Sequence, residues 1–408
     1  MKKKALVLAG GIPQIELIEE LKRRQYFVIL IDYTFCPVAE KFADKFYRES
    51  TLDVASVRSI VEHEKIDMII TCCTDQALAT VSLLAEEFGL PCYIGAEIGK
   101  NVTNKQYMKK KFIDNDIPTA SYKIVMDENI ELGKMKFPIV VKPVDCNSSK
   151  GVKKVEDEET LRSAISAAIL YSRTGTAIVE QYILGKEISV DGFVTNGIFK
   201  ILCVSESEKV KDEHKFVIYK GKYPAEISLD IYNKICYIGQ KIAAAFELKN
   251  SPMLIQLLVS DAELYVLEFS ARTGGCIKYR MIDRACGVDV IKKTVDLFEN
   301  KNVVIEPVRK NRYIVDEFVY CKNGVFDHVE GLDFCLEKGW IKEFYILKTS
   351  GEQFSGVNSS GDRIAAMVYD NDSYEEYRCC HNNVIQNISV KDVDGTDIMR
   401  HDLLPYIS

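Results

Sequence analysis

Two neighbouring apolar runs decide the fold: MLIQLLV at residues 253–259 and LYVLEFSARTGG at residues 264–275. Their length, and the Ser260-Asp261 turn between them, predict two adjacent antiparallel strands. The pair would bring Gln256 and Glu268 close together, and the period of two puts Glu268 and Ser270 on one face. Few oxygen ligands from the protein, completed by phosphates, suit Mg²⁺. The alternative is a hairpin with a surface ion pair, but a glutamate at the end of an apolar strand is uncommon there.

Upstream of this pair, FPIVVKP at residues 137–143 predicts a strand that places Lys142 at its end. A lysine fixed there is a suitable point charge for a phosphate, and Pro143 ends the ladder. The next segment, DCNSSKGV at 145–152, is small and polar and can fold over phosphates with its N–H groups and hydroxyls. It lacks the Walker A spacing. The alternatives are an edge-strand lysine in water and a flexible hairpin turn.

The segment AIVEQYILGKEISVD at residues 177–191 predicts a strand, a linker and a second strand. Its backbone can hydrogen-bond an adenine edge, and one of the carboxylates of Glu180 and Glu187 can hold ribose hydroxyls. The alternative is a hairpin with two solvated glutamates.

The first ~100 residues alternate strand and helix in the manner of parallel α/β folds. Strands are predicted at 5–9, 27–31, 67–71 and 91–94, and helices around 15–21, 54–63 and 77–88. Gly10-Gly11 follows the first strand without the G-x-G-x-x-G spacing of dinucleotide sites. These glycines therefore indicate a tight turn, and Asp32 is interpreted as a turn or capping residue. The missing fingerprint disfavours a two-domain dinucleotide oxidoreductase.

The remaining chain predicts two further domains. A basic helix at 104–115 opens an α+β region from 101 to 312, with a small lobe to about 184 and a central lobe from about 185. A β-rich lobe follows at 313–408, with strands at 313–321, 340–348, 364–370 and 388–390 and a helix at 373–384.

Composition narrows the class of protein. Hydrophobic residues make up 47% and charged residues 28% of the 408 residues, as in ordinary globular proteins. The net charge of −7 argues against a general nucleic-acid binder, and we find no apolar stretch long enough to span a membrane. The 13 cysteines include no CxxC pair, which indicates reduced thiols and a cytoplasmic location. Cys379-Cys380-His381 lacks the further ligands of a zinc site.

Together, these patterns resemble the ATP-grasp superfamily, most specifically between Lys105 and Arg272. The resemblance implies a mixed α/β and α+β fold: an N-terminal open parallel α/β sheet (the pre-ATP-grasp domain, 1–100), a two-lobed ATP-grasp fold and a small C-terminal α+β lobe. The RTGG sequence at 272–275 is also similar to the amino-acid ligase branch, and Gln256 is similar to carbamoyl-phosphate-synthetase-like members.

The resemblance also implies roles for single residues. The residues implied to bind the nucleotide are Lys105, Lys142, Ser148, Ser149, Gly151, Val152, Glu180, Gln181, Tyr182, Ile183 and Glu187. The implied metal ligands are Gln256, Glu268 and Ser270. The implied substrate residues are Arg272, Gly274, Gly275 and Lys278, and the implied catalytic residues are Arg272 and Lys142.

The activity implied is ATP-dependent ligation of a small-molecule carboxylate to an amine through an acyl phosphate, with one or two Mg²⁺ ions (Mn²⁺ as an alternative). A homodimer is a further family expectation. Two alternatives stay open: a nucleotide-binding protein without turnover, supported by Ser270 where asparagine is usual, and a biotin-carboxylase-like subunit, supported by the C-terminal lobe. The charged stretch from Glu206 to Lys215, with Lys209, Lys211 and His214, favours a solvated loop over an acceptor site.

Overall fold

The N-terminal region is a four-stranded parallel sheet with its helices. Its elements are β1 (Lys4–Leu8), α1 (Ile12–Arg23), β2 (Phe27–Ile31), β3 (Lys45–Tyr47), α2 (Val54–Glu64), β4 (Met68–Ile70), α3 (Asp75–Glu87) and α4 (Ala96–Asn101). The computed structural model describes residues 2–146, 149–210 and 216–408. The strand order is β3-β2-β1-β4 with every pairing parallel, and the continuous apolar runs of β1, β2 and β4 are buried, as the parallel class requires.

One strand predicted in this region is wrong. Residues 91–94 form an irregular segment without sheet pairing. Its apolar pattern comes from side-chain packing instead: the Tyr93 ring lies edge-on to Phe298 at 5.2 Å, and its hydroxyl donates to the carbonyl of Ala271 at 2.8 Å. Pro91 also lacks the N–H that a ladder needs.

The turn after β1 has the structural role that its sequence indicates. The Asp32 carboxylate accepts hydrogen bonds from the backbone N–H groups of Gly10 and Thr34, each at 2.7 Å. A Cβ atom on Gly10 would lie 2.7 Å from Cβ of Pro37. Close backbone approach therefore requires glycine here.

The small lobe follows as a four-stranded antiparallel sheet. Its elements are α5 (Lys105–Asp114), β5 (Tyr122–Val125), β6 (Ile139–Pro143), β7 (Lys153–Val155), α6 (Glu158–Tyr171) and β8 (Ala177–Gln181). The strand order is β5-β8-β6-β7. Leu161, Ile165 and Ala168 of α6 pack on Ile139 and Val141 of β6, so the helical stripe covers one face of the sheet.

The central lobe supplies most of a large antiparallel sheet. Its elements are β9 (Lys186–Thr195), β10 (Ile198–Lys209), β11 (Ile218–Tyr223), α7 (Leu229–Ala245), β12 (Ser251–Ser260), β13 (Glu263–Ser270), α8 (Lys278–Cys286) and α9 (Val290–Phe298). Apolar residues of α7, among them Ile235 and Ile242, share a core with Ile255 and Phe269 of the predicted hairpin. One face of the hairpin is therefore buried in this core, and the opposite face bears Gln256 and Glu268.

The C-terminal region extends this sheet and adds a second one. Its elements are β14 (Tyr313–Val319), β15 (Asn323–Glu330), α10 (Leu332–Glu337), β16 (Glu343–Ile346), β17 (Gln353–Ser355), β18 (Ala365–Asn371), α11 (Tyr374–Ile385) and β19 (Ser389–Asp392). The large sheet has the order β13-β12-β9-β10-β11-β14-β18-β16, and the small one β17-β15-β19. The pairing of β11 with β14 carries the large sheet across the proposed domain boundary at 312/313. Among the described residues, no helix is both long and apolar enough to cross a bilayer.

A buried charge network fixes the C-terminal helix to the large sheet. Lys220 of β11 lies 2.9 Å from the Glu317 carboxylate of β14, which also accepts from the Tyr377 hydroxyl at 2.5 Å. His381 of α11 contacts the same carboxylate at 3.0 Å and the carbonyl of Pro405 at 2.9 Å. Burial opposes ionisation of Glu317, but Lys220 and His381 outweigh it and lower its pKa.

We expect Lys220→Met to destabilise the protein by about 3–5 kcal/mol, because the substitution leaves Glu317 buried without its main counter-charge. Thermal unfolding measured by circular dichroism checks this. The matched control is Lys110→Met, which removes an exposed ion pair with Asp114 and should leave the melting temperature unchanged. Equal melting temperatures for the two variants would contradict the structural role of the network.

Candidate active site

A cleft of about 880 Å³ lies between the N-terminal domain, the small lobe and the large sheet. Thr51 and Asp75 line it from the N-terminal domain, Asp145 and Lys150 from the small lobe, and Ser207 from the large sheet. The predicted site residues that line it are Gln256, Glu268, Arg272, Gly274, Gly275 and Lys278. The fold therefore brings two of the predicted metal ligands and the predicted substrate residues together, whereas Ser270, the third predicted ligand, is buried and is not among the lining residues.

The floor of the cleft is one face of the large sheet. Glu268 of β13 pairs with Gln256 of β12, Gln256 pairs with Ser189 of β9, and Ser189 pairs with Ser205 of β10. Residues paired in this way lie side by side on one face. The hairpin thus presents its two predicted metal ligands in a polar row that crosses the sheet.

Beside the cleft, Glu180 is buried between two lysines. Its carboxylate oxygens lie 2.6 Å from Lys109 Nζ and 2.5 Å from Lys142 Nζ. Burial opposes ionisation of Glu180, but the charges of Lys109 and Lys142 outweigh it and lower the pKa of Glu180 to about 2. Burial likewise disfavours the charge of Lys142, yet Glu180 and Glu268 raise its pKa. At Lys109 burial is the larger effect, and it lowers the pKa of Lys109 despite the pairing with Glu180.

Sequence reasoning missed Lys109, although a signal was present. Lys109 follows Lys105 by four residues on α5, and this spacing places both side chains on one helical face. Lys105 Nζ lies 3.2 Å from the Glu268 carboxylate and donates to the carbonyl of Cys146 at 2.7 Å. Three lysines thus meet two carboxylates, Glu180 and Glu268, and the cluster has an excess of positive charge.

Glu187, the predicted ribose residue, lies at the edge of this cluster. It forms an ion pair with Lys209 and accepts a hydrogen bond from the Gln256 amide at 3.3 Å. Lys209 also lies over the Phe216 ring, 4.9 Å from its centre. Lys209 thus ends β10 and pairs with a predicted nucleotide residue, where the sequence favoured a solvated loop. Lys211, His214 and Lys215 lie outside the described residues.

Arg272 ties the cleft to the N-terminal domain. Its guanidinium donates hydrogen bonds to the Asp75 carboxylate from two nitrogens, and Nε lies 2.7 Å from Oδ1. Burial opposes both charges, yet the pair raises the pKa of Arg272 and lowers that of Asp75. The hydroxyl of Ser270 hydrogen-bonds the same carboxylate. Asp75 was missed because only tertiary folding brings it to β13.

The glycines after Arg272 allow close packing. The Gly274 N–H donates to Asp191 Oδ1 at 2.8 Å, and a Cβ atom on Gly274 would lie 2.7 Å from the Lys278 side chain. Lys278 in turn donates to the Ser205 hydroxyl at 2.9 Å. A Cβ atom on Gly275 would lie 3.7 Å from the carbonyl oxygen of Cys73.

The predicted phosphate loop borders the site from the small lobe. Ser148 lies outside the described residues. The Ser149 hydroxyl donates to the carbonyl of Phe216 at 3.1 Å, and the Val152 N–H donates to the carbonyl of Ser149. Gly151 has a φ of +70° and approaches the Pro143 ring, so glycine is required there.

The predicted adenine segment follows β8 at the other side of the small lobe. The Gln181 side chain is held by backbone groups of Lys136, with its amide donating at 2.8 Å to the carbonyl. The Tyr182 ring lies under Lys154 Nζ at 4.8 Å, and Ile183 is half-buried. The structure does not place Gln181, Tyr182 or Ile183 among the residues that line the cleft.

The oxygen ligands fit a magnesium ion only together with phosphates. Glu268 is the single carboxylate of the predicted set, and Gln256 and Ser270 add neutral oxygens. In the described part of the chain, no group of three or more His, Cys, Asp or Glu side chains is placed to hold a metal. Mg²⁺ commonly binds through one or two carboxylates and completes its shell with substrate phosphates and water.

Residues 135–279 match the family model of the ATP-grasp domain. This match confirms the ATP-grasp resemblance that the sequence predicted, and the parallel N-terminal sheet with the large antiparallel sheet confirms the predicted fold class. The chain is 30% identical over 183 residues to D-alanine–D-alanine ligase of Rickettsia canadensis, covering 42% of this chain and 49% of the relative. It spans about half the length of the curated relatives it matches.

Solved structures share the whole architecture. The L-amino acid ligase of Bacillus licheniformis superposes with a TM-score of 0.80 at 17% identity, covering 96% of this chain and 99% of that one. The phosphoribosylglycinamide synthetase of Anaerococcus prevotii gives 0.75 at 19% identity, covering 95% and 99%. At 17% and 19% identity, this likeness shows a shared fold alone.

The ion pairs of Glu180 predict a pH dependence of stability. Its folded pKa of about 2 lies below its ordinary value of 4.5, so its contribution is fully present above pH 4.5 and is lost as the pH falls through 2. We expect Glu180→Gln to lower the melting temperature by several degrees at pH 7, and this difference should shrink from pH 4.5 downwards. Calorimetry across pH checks this, with exposed Glu97→Gln as the control. A difference that is constant with pH would contradict the assignment.

Proposed function

We propose that the protein is an ATP-dependent ligase that activates a small-molecule carboxylate as an acyl phosphate and couples it to an amine. The observation that carries the proposal is the lysine cluster of Lys105, Lys109 and Lys142, which faces Glu268 at the edge of the cleft. The match to an ATP-grasp domain and the likeness to D-alanine–D-alanine ligases support it.

In this proposal the phosphates of ATP bind against the lysine cluster. Each of these lysines now pairs with a carboxylate, and a polyphosphate with more negative charge would compete for the same cations. The loop with Ser149, Gly151 and Val152 would close over the phosphates through its N–H groups. The backbone of residues 180–183 would receive the adenine, and Glu187 the ribose.

Glu268 and Gln256 would hold Mg²⁺ together with the phosphates, and Ser270 would offer a weaker ligand. When bound, the ion would neutralise phosphate charge and orient the terminal phosphoryl group. The Ser270 hydroxyl hydrogen-bonds Asp75 in the structure, so it would need to leave that partner to bind a metal.

The chemistry proposed has two displacements. A carboxylate oxygen attacks the γ-phosphorus, the bond to the β-γ bridging oxygen breaks, and ADP leaves. The amine then attacks the carbonyl carbon of the acyl phosphate, inorganic phosphate leaves, and the amine releases a proton. The protein contributes positioning and positive charge, chiefly from Lys142 and Arg272. Walls from three parts of the chain would exclude water and protect the acyl phosphate from hydrolysis.

The substrates are proposed to be small molecules, because the cleft is lined by side chains from three parts of the chain and its volume is about 880 Å³. The amine substrate in this proposal is an amino acid or ammonia. The L-amino acid ligase fold and the D-alanine–D-alanine ligase relatives favour an amino acid.

Release of inorganic phosphate from Mg-ATP across a matrix of amino acids, small acids and amines tests the proposal. We expect release that requires a particular acid and amine together, since the amine completes the turnover. Absence of release with every pair, despite measurable ATP binding, would favour a nucleotide-binding protein without turnover. Release that depends on bicarbonate would instead favour a carboxylase-like activity.

We expect Glu268→Gln to reduce this turnover at least 100-fold, because it removes the single carboxylate of the proposed metal site. The matched control is Glu263→Gln, which changes an exposed residue at the other end of the same strand. Unchanged turnover in Glu268→Gln, or equal loss in both variants, would remove Glu268 from the metal site.

A further inference from the structure

Asp316 lines the cleft, and the proposed chemistry gives it no role. It projects from β14, is only 2% exposed and lines the cleft. Its Oδ1 atom has no hydrogen-bond partner among the described residues. Burial raises the pKa of Asp316 to about 7, Lys278 and Arg363 oppose the shift, and Asp191 and Glu343 add to it. A buried carboxylate without a partner is costly.

Two other carboxylates, Glu180 of the small lobe and Glu317 of the C-terminal region, are deeply buried but have partners. Glu180 has two lysines, and Glu317 has Lys220, Tyr377 and His381. Ion pairs therefore satisfy those two carboxylates. Asp191 Oδ2 also lacks a hydrogen-bond partner among the described residues, but Asp191 is not among the residues that line the cleft. Asp316 has an unpartnered oxygen and lines the cleft, so its partner can come from the cleft.

The neighbour of Asp316 on β11 is a glycine, so no side chain of that residue covers the carboxylate. Gly221 of β11 pairs directly with Asp316, and it also lines the cleft. Near its Cβ position the closest atom is Lys278 Nζ at 3.5 Å. A side chain on β11 would fill the space where a ligand group can approach the carboxylate.

A guanidinium faces the same end of the cleft. Arg363 lies over the Phe318 ring, 3.6 Å from its centre, and donates to the carbonyl of Ile218 and the hydroxyl of Tyr320, each at 3.2 Å. These contacts hold the guanidinium in place. Among the described residues no ion pair joins Arg363 to Asp316, so the fold keeps a fixed cation and a fixed anion apart beside one open space.

We propose that Asp316 and Arg363 form a subsite for a zwitterionic head group, with the ammonium on Asp316 and the carboxylate on Arg363. An ammonium supplies the donors that the buried carboxylate lacks, and a guanidinium suits a carboxylate. The ligand is thus a compound that carries an amino group and a carboxyl group at one end.

The subsite is separated along the sheet from the proposed metal ligands. Four strand spacings separate Gln256 of β12 from Asp316 of β14, which is about 19 Å along the sheet. Arg363 hydrogen-bonds Cys276, the neighbour of Gly275, so the subsite adjoins the proposed substrate residues. This inference rests on the proposed function, and it specifies a substrate with a zwitterionic head group.

Equilibrium binding tests the subsite without relying on turnover. Calorimetry with a non-hydrolysable Mg-ATP analogue present would compare a panel of L-amino acids and dipeptides with their N-acetyl forms. We expect N-acetylation to weaken binding to the wild type 10-fold or more, and to have little effect in Asp316→Asn. The matched control is Asp283→Asn, an exposed residue of α8, which should behave as the wild type.

The variants separate the two charges. Arg363→Gln should weaken binding of the free carboxylate form 10-fold or more and leave its carboxamide unaffected. Wild-type affinity in Asp316→Asn, equal affinity of the free and acetylated forms, or no binding of any panel member to the wild type would each overturn the subsite. If the proposed ligase activity is absent while these binding differences hold, only the proposed function fails.

Discussion

The burial of Glu180 between Lys109 and Lys142 is the contact on which the site depends. It joins β6 and β8 of the small lobe to α5, and it pairs a buried carboxylate with two buried lysines. Burial alone would drive these groups towards their neutral forms. Because opposite charges compensate each other here, positive charge can persist beside the cleft, where a polyphosphate would meet it.

The large antiparallel sheet supplies further residues of the candidate site. Its eight strands come from the central and C-terminal regions, so one continuous face carries Glu268 near one edge and Asp316 five strands away. The Arg272–Asp75 ion pair adds the N-terminal domain as a third wall. The cleft is therefore lined by the N-terminal domain, the small lobe and the large sheet.

The sequence predicted those features that arise within one segment. The hairpin of β12 and β13, the lysine at the end of β6 and most of the N-terminal sheet follow from strand period and length. Asp75, Asp191 and Asp316 could not be predicted, because only tertiary folding brings these distant segments to one cleft. Lys109 had a helical-spacing signal that was not used. The strand predicted at residues 91–94 failed because its apolar residues pack individually, without a neighbouring strand.

Amide hydrogen exchange with and without Mg-ATP tests the central claim, that the nucleotide binds between the small lobe and the hairpin of the large sheet. Exchange reports protection of individual segments without knowledge of the substrates. The account predicts slower exchange on binding in residues 139–155, 177–187 and 253–270. Protection confined to residues 8–12 and 31–34, at the Gly10-Gly11 turn of the N-terminal sheet, would contradict it.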